Sequence, residues 1–295
     1  MQVAVLGPPE SWYLKDLQRA ACAAHSVVPI AWRDLASSVT DQGTQVFAGP
    51  VDLMGFDAVL VRTMPPGSLE QVIFRMDALA QLVAARVAVL NPPRAIETAI
   101  DKYLTLARLQ HAGLPVPATV ACQSCDGALR AFEHLGRDVV LKPLFGAEGR
   151  GLVRLQDRGL AERAFQLFSQ QGAVLYLQEF VPHPGYDLRV FVAGSRLLAI
   201  RRHAQGDWRT NISCGGRAEP VEITDNVAQL ARRAAEAVGA SLAGVDLLPG
   251  PDGKLYLIEV NAVPGWRGLA RATDVDVARL VLEHLEQVVQ PRRSL

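Results

Sequence analysis

The chain carries no surplus charge of either sign: lysine plus arginine and aspartate plus glutamate each total 30. That balance excludes the basic excess by which a domain holds nucleic acid, and no single-sign tail is present. Long apolar runs are missing as well. None approaches the ~18 residues that a membrane span needs. The opening Met1-Gln-Val-Ala-Val-Leu-Gly7 lacks the basic start and extended apolar core of a signal peptide, so a cytoplasmic location is expected. Cysteine is scarce, and four of them (Cys22, Cys122, Cys125, Cys214) in 295 residues make no disulfide framework. Cys122-Gln-Ser-Cys125 has CxxC spacing, but no second CxxC or HxxxH completes a four-ligand zinc site, and no thioredoxin-like context surrounds it. The six histidines are scattered, without HExxH. Neither GxGxxG nor GxxxxGK[ST] occurs, and Gly7-Pro8-Pro9 after the first apolar run is not a dinucleotide fingerprint.

What is there begins with 49% hydrophobic residues, enough for two or three lobes, each expected to have its own core. Strands are expected at residues 2–7, 26–32, 57–62 and 87–91, with helices over 10–24 and 69–86; this alternation predicts a small parallel α/β lobe. A helix over 95–112 stops at Gly113, with Pro115 and Pro117 beyond it. Strands at 118–122, 139–143 and 174–180 and a helix over 126–135 follow. Residues 224–238 and 275–289 also have helical patterns. The apolar face of the last is suited to its own domain or to a partner subunit, which would make a homo-oligomer.

Two hairpins concentrate the polar chemistry. Asp252-Gly253 is a two-residue turn signal between alternating apolar runs. With those residues as the loop, paired numbers sum to 505, so Asp246 faces Glu259 and Gly244 faces Asn261, all on one face. Opposed carboxylates repel. A hard cation between them reverses that sign, and Asp, Glu and Asn oxygens are ligands that Mg²⁺ takes alongside substrate phosphates. A solvated acidic turn is the alternative. In the other hairpin, Gly194-Ser195 as the loop sets Asp187 opposite Arg202, with Arg189 on the same face. Two guanidiniums there suit a carboxylate or acyl phosphate, or else form a cross-strand ion pair.

Lys142 ends a strand just before Gly146-Ala-Glu-Gly149-Arg-Gly151, whose glycines would let backbone N–H groups approach phosphate oxygens. Asp101-Lys102 precedes it and Gln178-Glu179-Phe180 follows. Then come Asp187-x-Arg189, Asp207-Trp-Arg209-Thr210-Asn211 with Gly215-Gly216, Gly244-Val-Asp246 and Glu259-Val-Asn261. In this order the motifs resemble the ATP-grasp superfamily, and within it the RimK-type α-L-glutamate ligases, over roughly residues 90–290. The resemblance implies an α/β (α+β) ATP-grasp fold: a pre-ATP-grasp lobe at 1–93 and an ATP-grasp domain at 94–295, divided near 180. It implies that Lys102 and Lys142 contact nucleotide phosphates, that Glu179 and Phe180 hold adenine, and that Asp187 lies near the ribose. Arg209, Thr210 and Asn211 would border the triphosphate. Asp246, Glu259 and Asn261 would bind two Mg²⁺ ions, with Mn²⁺ as an alternative.

The expected reaction joins L-glutamate to a carboxylate acceptor at the cost of ATP, through an acyl phosphate. Arg202 and Arg209 would serve the chemistry, and Arg189 and Arg202 would hold substrate. A ligase for lysine, alanine or an amino-group carrier shares the same ATP site. A non-catalytic nucleotide-binding regulator is disfavoured by the intact ligand set. Ser213-Cys214 departs from relatives that carry histidine or a basic residue there, which bears on acceptor identity. Trp12-Tyr13 and Arg62-Thr-Met-Pro-Pro66 resemble a subgroup that includes tetrahydromethanopterin glutamate ligase-like proteins, and the aromatic pair equally suits packing at the start of a helix.

Overall fold

The computed structural model describes residues 1–146, 150–210 and 217–293. Its first sheet is parallel throughout. It runs β2 (Ser26–Ile30), β1 (Gln2–Leu6), β6 (Ala58–Val61), β7 (Ala88–Leu90), in that spatial order. Helix α1 (Trp12–Ala21) joins the first two strands, its Ser11 hydroxyl accepting from the Leu14 N–H. Helix α2 (Leu69–Ala84) begins at a capping box between Ser68 and Gln71. An antiparallel sheet, β3 (Leu35–Thr40), β4 (Gly43–Ala48) and β5 (Val51–Asp52), fills the connection between β2 and β6. Its first strand is weakly marked in the sequence, since Leu35-Ala-Ser-Ser-Val-Thr40 is mostly small and polar.

The helix expected over 95–112 is two helices, α3 (Pro93–Ile100) and α4 (Lys102–His111). Asp101 breaks it. Its backbone is extended, and its carboxylate accepts from the Tyr103 and Leu104 N–H groups, starting a new helix with Lys102 in its first turn.

A second sheet has the order β10 (Val153–Leu155), β9 (Val139–Lys142), β11 (Leu175–Glu179), β8 (Thr119–Cys122). Alternation divides its faces. Val139, Leu141, Leu175 and Leu177 pack with Phe132 of α5 (Cys125–His134) and Phe165 of α6 (Arg158–Gln170). Val140, Lys142 and Gln178 point the other way, into a cleft.

The cleft's far wall is an antiparallel sheet of order β14 (Arg217–Pro220), β13 (Arg196–His203), β12 (Tyr186–Ala193), β15 (Leu242–Pro249), β16 (Leu255–Asn261). Helix α7 (Asp225–Val238) packs on its back, ending at Gly239 in the left-handed region at φ +79°. Helices α8 (Arg267–Ala272) and α9 (Val277–Arg293) complete the chain. The apolar face of α9 packs within the chain: Val281, Leu285 and Val289 lie in one cluster with Leu14 and Leu17 of α1. Among the described residues no helix is long and apolar enough to cross a membrane.

Separate cores for each lobe do not result. Among the described residues, only the β8–β11 lobe has one to itself. The other two clusters each run from the parallel sheet into the five-stranded sheet. Asn91 bolts the two together: its fully buried amide donates to the Leu242 and Ala262 carbonyls and accepts from the Leu242 N–H at 3.1 Å. Arg19 with Asp276 at 2.7 Å, and the Trp266 indole donating to Asp16 at 2.9 Å, add polar ties.

Candidate active site

The Gly194-Ser195 hairpin forms in the expected register, Asp187 opposite Arg202. The other hairpin reaches the expected pairing by a different route. Its loop is Pro251-Asp252-Gly253, with Gly250 N–H donating to the Lys254 carbonyl at 2.8 Å and Gly253 at φ +76°. A three-residue loop shifts the register by one, so Leu247 pairs with Leu257. A bulge at Ile258 then restores it, and Asp246 pairs with Glu259 and Gly244 with Asn261. Packing explains the bulge. Leu257 and Val260 are both fully buried in the same core, which an unbroken alternation forbids for residues three apart.

Direct antiparallel partners share a face, so the two hairpins make one polar row: Arg189 opposite Asp246, Asp246 opposite Glu259, with Asp187 and Arg202 one step along. Arg202 donates from Nε to Asp187 Oδ1 at 2.7 Å and from Nη2 to Oδ2 at 2.5 Å, and that Nη2 also lies 3.0 Å from Asp246 Oδ2. Arg189 Nε stands 2.5 Å from Asp246 Oδ1 without hydrogen-bond alignment, and its Nη2 donates to Oδ2 at 3.2 Å. Burial works against the Arg202 charge, but Asp246 and Asp187 outweigh it and raise its pKa. Burial raises the Asp246 pKa, opposed by Arg189 and Arg202. Gly244 borders the space above the pair. The Arg189 guanidinium fills it, at a point where any Cβ on residue 244 would collide.

Asp187, expected beside the ribose, has both oxygens occupied, one by Arg202 and the other by Arg202 and the Thr210 hydroxyl at 2.6 Å. It holds Arg202 in place. Glu259 is half-buried with no hydrogen-bond or ion-pair partner among the described residues. The Asn261 Oδ1 accepts from the Val263 N–H at 2.8 Å. A free carboxylate, a buried one with an unaligned oxygen, and an amide oxygen with a lone pair to spare fit a hard divalent cation that completes its shell with phosphate and water. Among the described residues no group of three or more His, Cys, Asp or Glu forms a metal cluster, so the protein offers this row and no closed cage.

The cleft between the sheets encloses about 890 Å³ including its open mouth. Lys142 and Lys102 line it together with Glu259 and Asp246. Lys142 is 9% exposed and donates to Gln178 Oε1 at 2.6 Å, while the Gln178 amide donates to the Thr119 hydroxyl at 3.0 Å. Burial pushes the Lys142 pKa down to about 8, with Lys102 adding to the effect and Glu259 and Asp246 opposing it. Burial lowers Lys102 too, and its ammonium donates to the Gly146 carbonyl at 2.7 Å. Glu179 and Phe180 lie on the same wall. The Glu179 carboxylate accepts from the Ala118 N–H at 2.8 Å, closing the β8 edge. The Arg154 guanidinium covers the Phe180 ring at 3.4 Å from its centroid, fixed by Asp138 at 2.8 and 2.6 Å. Arg209 is held by Asp207 at 2.6 Å, whose pKa it lowers by that hydrogen bond. Asn211, Ser213, Cys214, Gly215, Gly216 and the Ala147–Gly149 part of the glycine-rich loop lie outside the described residues.

Sequence reasoning missed Arg154, which stands in no recognisable motif, and the part that Gln178 plays within Gln178-Glu179-Phe180. It also missed a second cavity on the other side of the polar row, which Arg189, Arg202, Glu259 and Asn261 share with Tyr13 and Arg62 of the N-terminal lobe. Trp12 and Tyr13 pack edge to face at 5.3 Å, and Tyr13 packs on Trp266 at 4.9 Å, so the aromatic pair starts α1 and joins the lobes.

Two sheets gripping a lysine-lined cleft with a carboxylate row on its floor define a nucleotide-dependent enzyme class, and comparison with known proteins identifies it. Residues 99–285 match the RimK-like ATP-grasp domain, and the chain belongs to that family and is an ATP-dependent ligase. It is 33% identical to the tetrahydromethanopterin:alpha-L-glutamate ligase of Methanosarcina acetivorans, over 95% of this chain and 97% of that one. It is 32% identical to a probable alpha-L-glutamate ligase of Thioalkalivibrio sulfidiphilus, over 100% and 98%. In fold it resembles the ATP-grasp ligase PsnB, solved with a minimal precursor, Mg and ADP, at a TM-score of 0.77 and 24% identity, over 97% of each chain.

Proposed function

We propose that this ligase forms an amide bond between the amine of L-glutamate and a carboxylate on an acceptor. The reading rests on the Asp246–Glu259–Asn261 row, which separates a lysine-lined cleft from an arginine-lined one. Residues 94–295 act as the ATP-grasp domain, and residues 1–93 present the acceptor. ATP occupies the cleft with its adenine toward Phe180 and its phosphates toward Lys102, Lys142, Arg209, Thr210 and Asn211.

Asp246, Glu259 and Asn261 hold two Mg²⁺ ions, which Mn²⁺ can replace. When bound, the metal neutralises phosphate charge and polarises the transferred phosphoryl group. The acceptor carboxylate attacks the γ-phosphorus, releasing ADP and leaving an acyl phosphate. The glutamate amine then displaces phosphate. No protein nucleophile takes part. Arg202, fixed by Asp187, and Lys142, fixed by Gln178, are pre-aimed donors, so they stabilise developing charge without reorganising. A cytoplasmic location, where ATP is supplied, fits this reading.

The test is incubation with Mg-ATP, L-glutamate and a panel of acceptor carboxylates, with ADP, phosphate and product mass measured. One acceptor gaining a single glutamyl unit, with equal ADP and phosphate, is the expected result. Release of AMP and pyrophosphate, or a product with another amino acid in preference to glutamate, would overturn it.

A further inference from the structure

Thr119 lies outside the nucleotide cleft but is joined to the cleft's buried lysine by a chain of hydrogen bonds. It is half-buried on the edge strand β8, and it is not among the described residues that line the cleft. It lines a separate groove instead, shared with Pro117 of the segment between α4 and β8. Antiparallel pairing sets Thr119 opposite Gln178 and Tyr176 opposite Lys142, and alternation puts all four side chains on one face. The Thr119 hydroxyl donates to the Pro117 carbonyl at 3.0 Å. The Gln178 amide donates to that hydroxyl oxygen at 3.0 Å, and its Oε1 accepts from Lys142 Nζ at 2.6 Å. The buried Tyr176 hydroxyl hydrogen-bonds Thr119 as well.

The protons give this chain a direction. A hydroxyl has one proton, and a carbonyl can only accept it, so toward Gln178 the Thr119 oxygen is an acceptor. The Gln178 amide must then turn its NH₂ to Thr119 and its Oε1 to Lys142. The reverse orientation would set that NH₂ against the lysine ammonium, donor against donor. Thr119 is itself held. Ala118 beside it accepts from the Glu179 N–H at 2.9 Å and donates to the Glu179 carboxylate at 2.8 Å. Further back, the Pro115 carbonyl accepts from the Leu257 N–H of β16 at 2.8 Å. The chain therefore runs from a segment tied to the strand that carries Glu259 to the lysine on the opposite sheet.

We infer that Thr119 is a positioning residue for nucleotide binding: acting through Gln178, it aims Lys142 at the phosphates from outside the cleft. This rests on the ligase reading above and adds a residue to its nucleotide site.

The test is a double-mutant cycle on the full chain, read by titration calorimetry with AMPPNP and Mg²⁺. Thr119→Val keeps the shape and removes the hydroxyl, leaving the Gln178 amide free to turn. It should weaken AMPPNP binding about fivefold, the scale of one hydrogen bond. Thr119→Ser, which keeps the hydroxyl, should bind within about twofold of wild type. Lys142→Gln should weaken binding at least as much as Thr119→Val does. Adding Thr119→Val to Lys142→Gln should change nothing further, because both act through one contact. A threonine that only supports the strand would give equal losses in the two backgrounds, and that result overturns the inference. Wild-type affinity in Thr119→Val or in Lys142→Gln, or no recovery in Thr119→Ser, overturns it too. If Thr119→Val fails to fold, Thr119→Ala takes its place in the same cycle. Absence of AMPPNP binding to the wild type would instead undo the ligase reading itself.

Discussion

The two cavities that meet at the Asp246–Glu259 row are built on different terms. In the nucleotide cleft the groups are held in place by protein: Lys142 by Gln178, Arg202 by Asp187, Arg209 by Asp207. On the other side Arg62, Arg267 and Arg271 face the cavity without carboxylates. A pre-aimed site suits a ligand that is always the same. A site with charge left unmatched depends on its ligand to complete it, and so selects for one. On the proposed reading, the nucleotide side is held by the scaffold, while the acceptor side draws on residues of the N-terminal lobe and α8.

The comparison can be broken most severely at the shared wall. Asp246→Asn should lower Mg-dependent phosphate release by on the order of a hundred- to a thousandfold, the scale for removing one charge-stabilising group. Circular dichroism should show the fold retained, and residual activity within tenfold of wild type would contradict the assignment.

Next is Asp187→Asn, which leaves Arg202 leaning on Asp246 alone. Breaking a buried pair should cost about 3 kcal/mol in urea unfolding. A loss below 1 kcal/mol would show that the pair does not hold the row. Gly244→Ala should cost about 1–3 kcal/mol, since its methyl would meet Arg189 and, at 3.2 Å, the Pro264 side chain. The larger kinetic effect should fall on acceptor KM, not on ATP KM, because Arg189 lines only the second cavity.

The smallest effect is a pH dependence. Lys142 in the free protein loses its proton near pH 8, and a triphosphate beside it favours the charged form. Below about pH 8 the lysine is already charged and binding takes up no proton. Above it, binding must take one up, so ATP affinity should fall roughly tenfold between pH 7 and 9. Calorimetry in buffers of different ionisation enthalpy reads that uptake directly. Lys142→Gln should abolish the slope, and an equal slope in the variant would refute it.

The same contrast governs how much of the molecule was legible in the sequence. The cleft's residues arrive in short local motifs, with strand alternation and tight turns to place them, so Lys142, Asp187 opposite Arg202 and Asp246 opposite Glu259 could be read directly. Even there the agreement at Asp246 came through two compensating departures, a three-residue loop and the Ile258 bulge, and core packing of Leu257 and Val260 decides both. Asp101 hid a helix break because an aspartate inside an amphipathic run reads equally as surface. The second cavity was illegible for a topological reason: Tyr13, Arg62, Arg267 and Arg271 come together only when α1, β6 and α8 converge, and no local pattern encodes such long-range meetings. The β3–β5 sheet was missed although Thr44, Val46 and Phe47 of β4 suit a strand, because β3 runs through the small Ala36-Ser37-Ser38 and offers β4 no apolar alternation to pair with.

The most direct test of the central claim, that the Asp246–Glu259–Asn261 row holds the nucleotide's metal, is titration of ADP into wild type and Glu259→Gln, with Mg²⁺ and with EDTA. Mg²⁺ should tighten ADP binding at least tenfold in the wild type, and that gain should be lost in Glu259→Gln. An undiminished Mg²⁺ gain in the variant would contradict it.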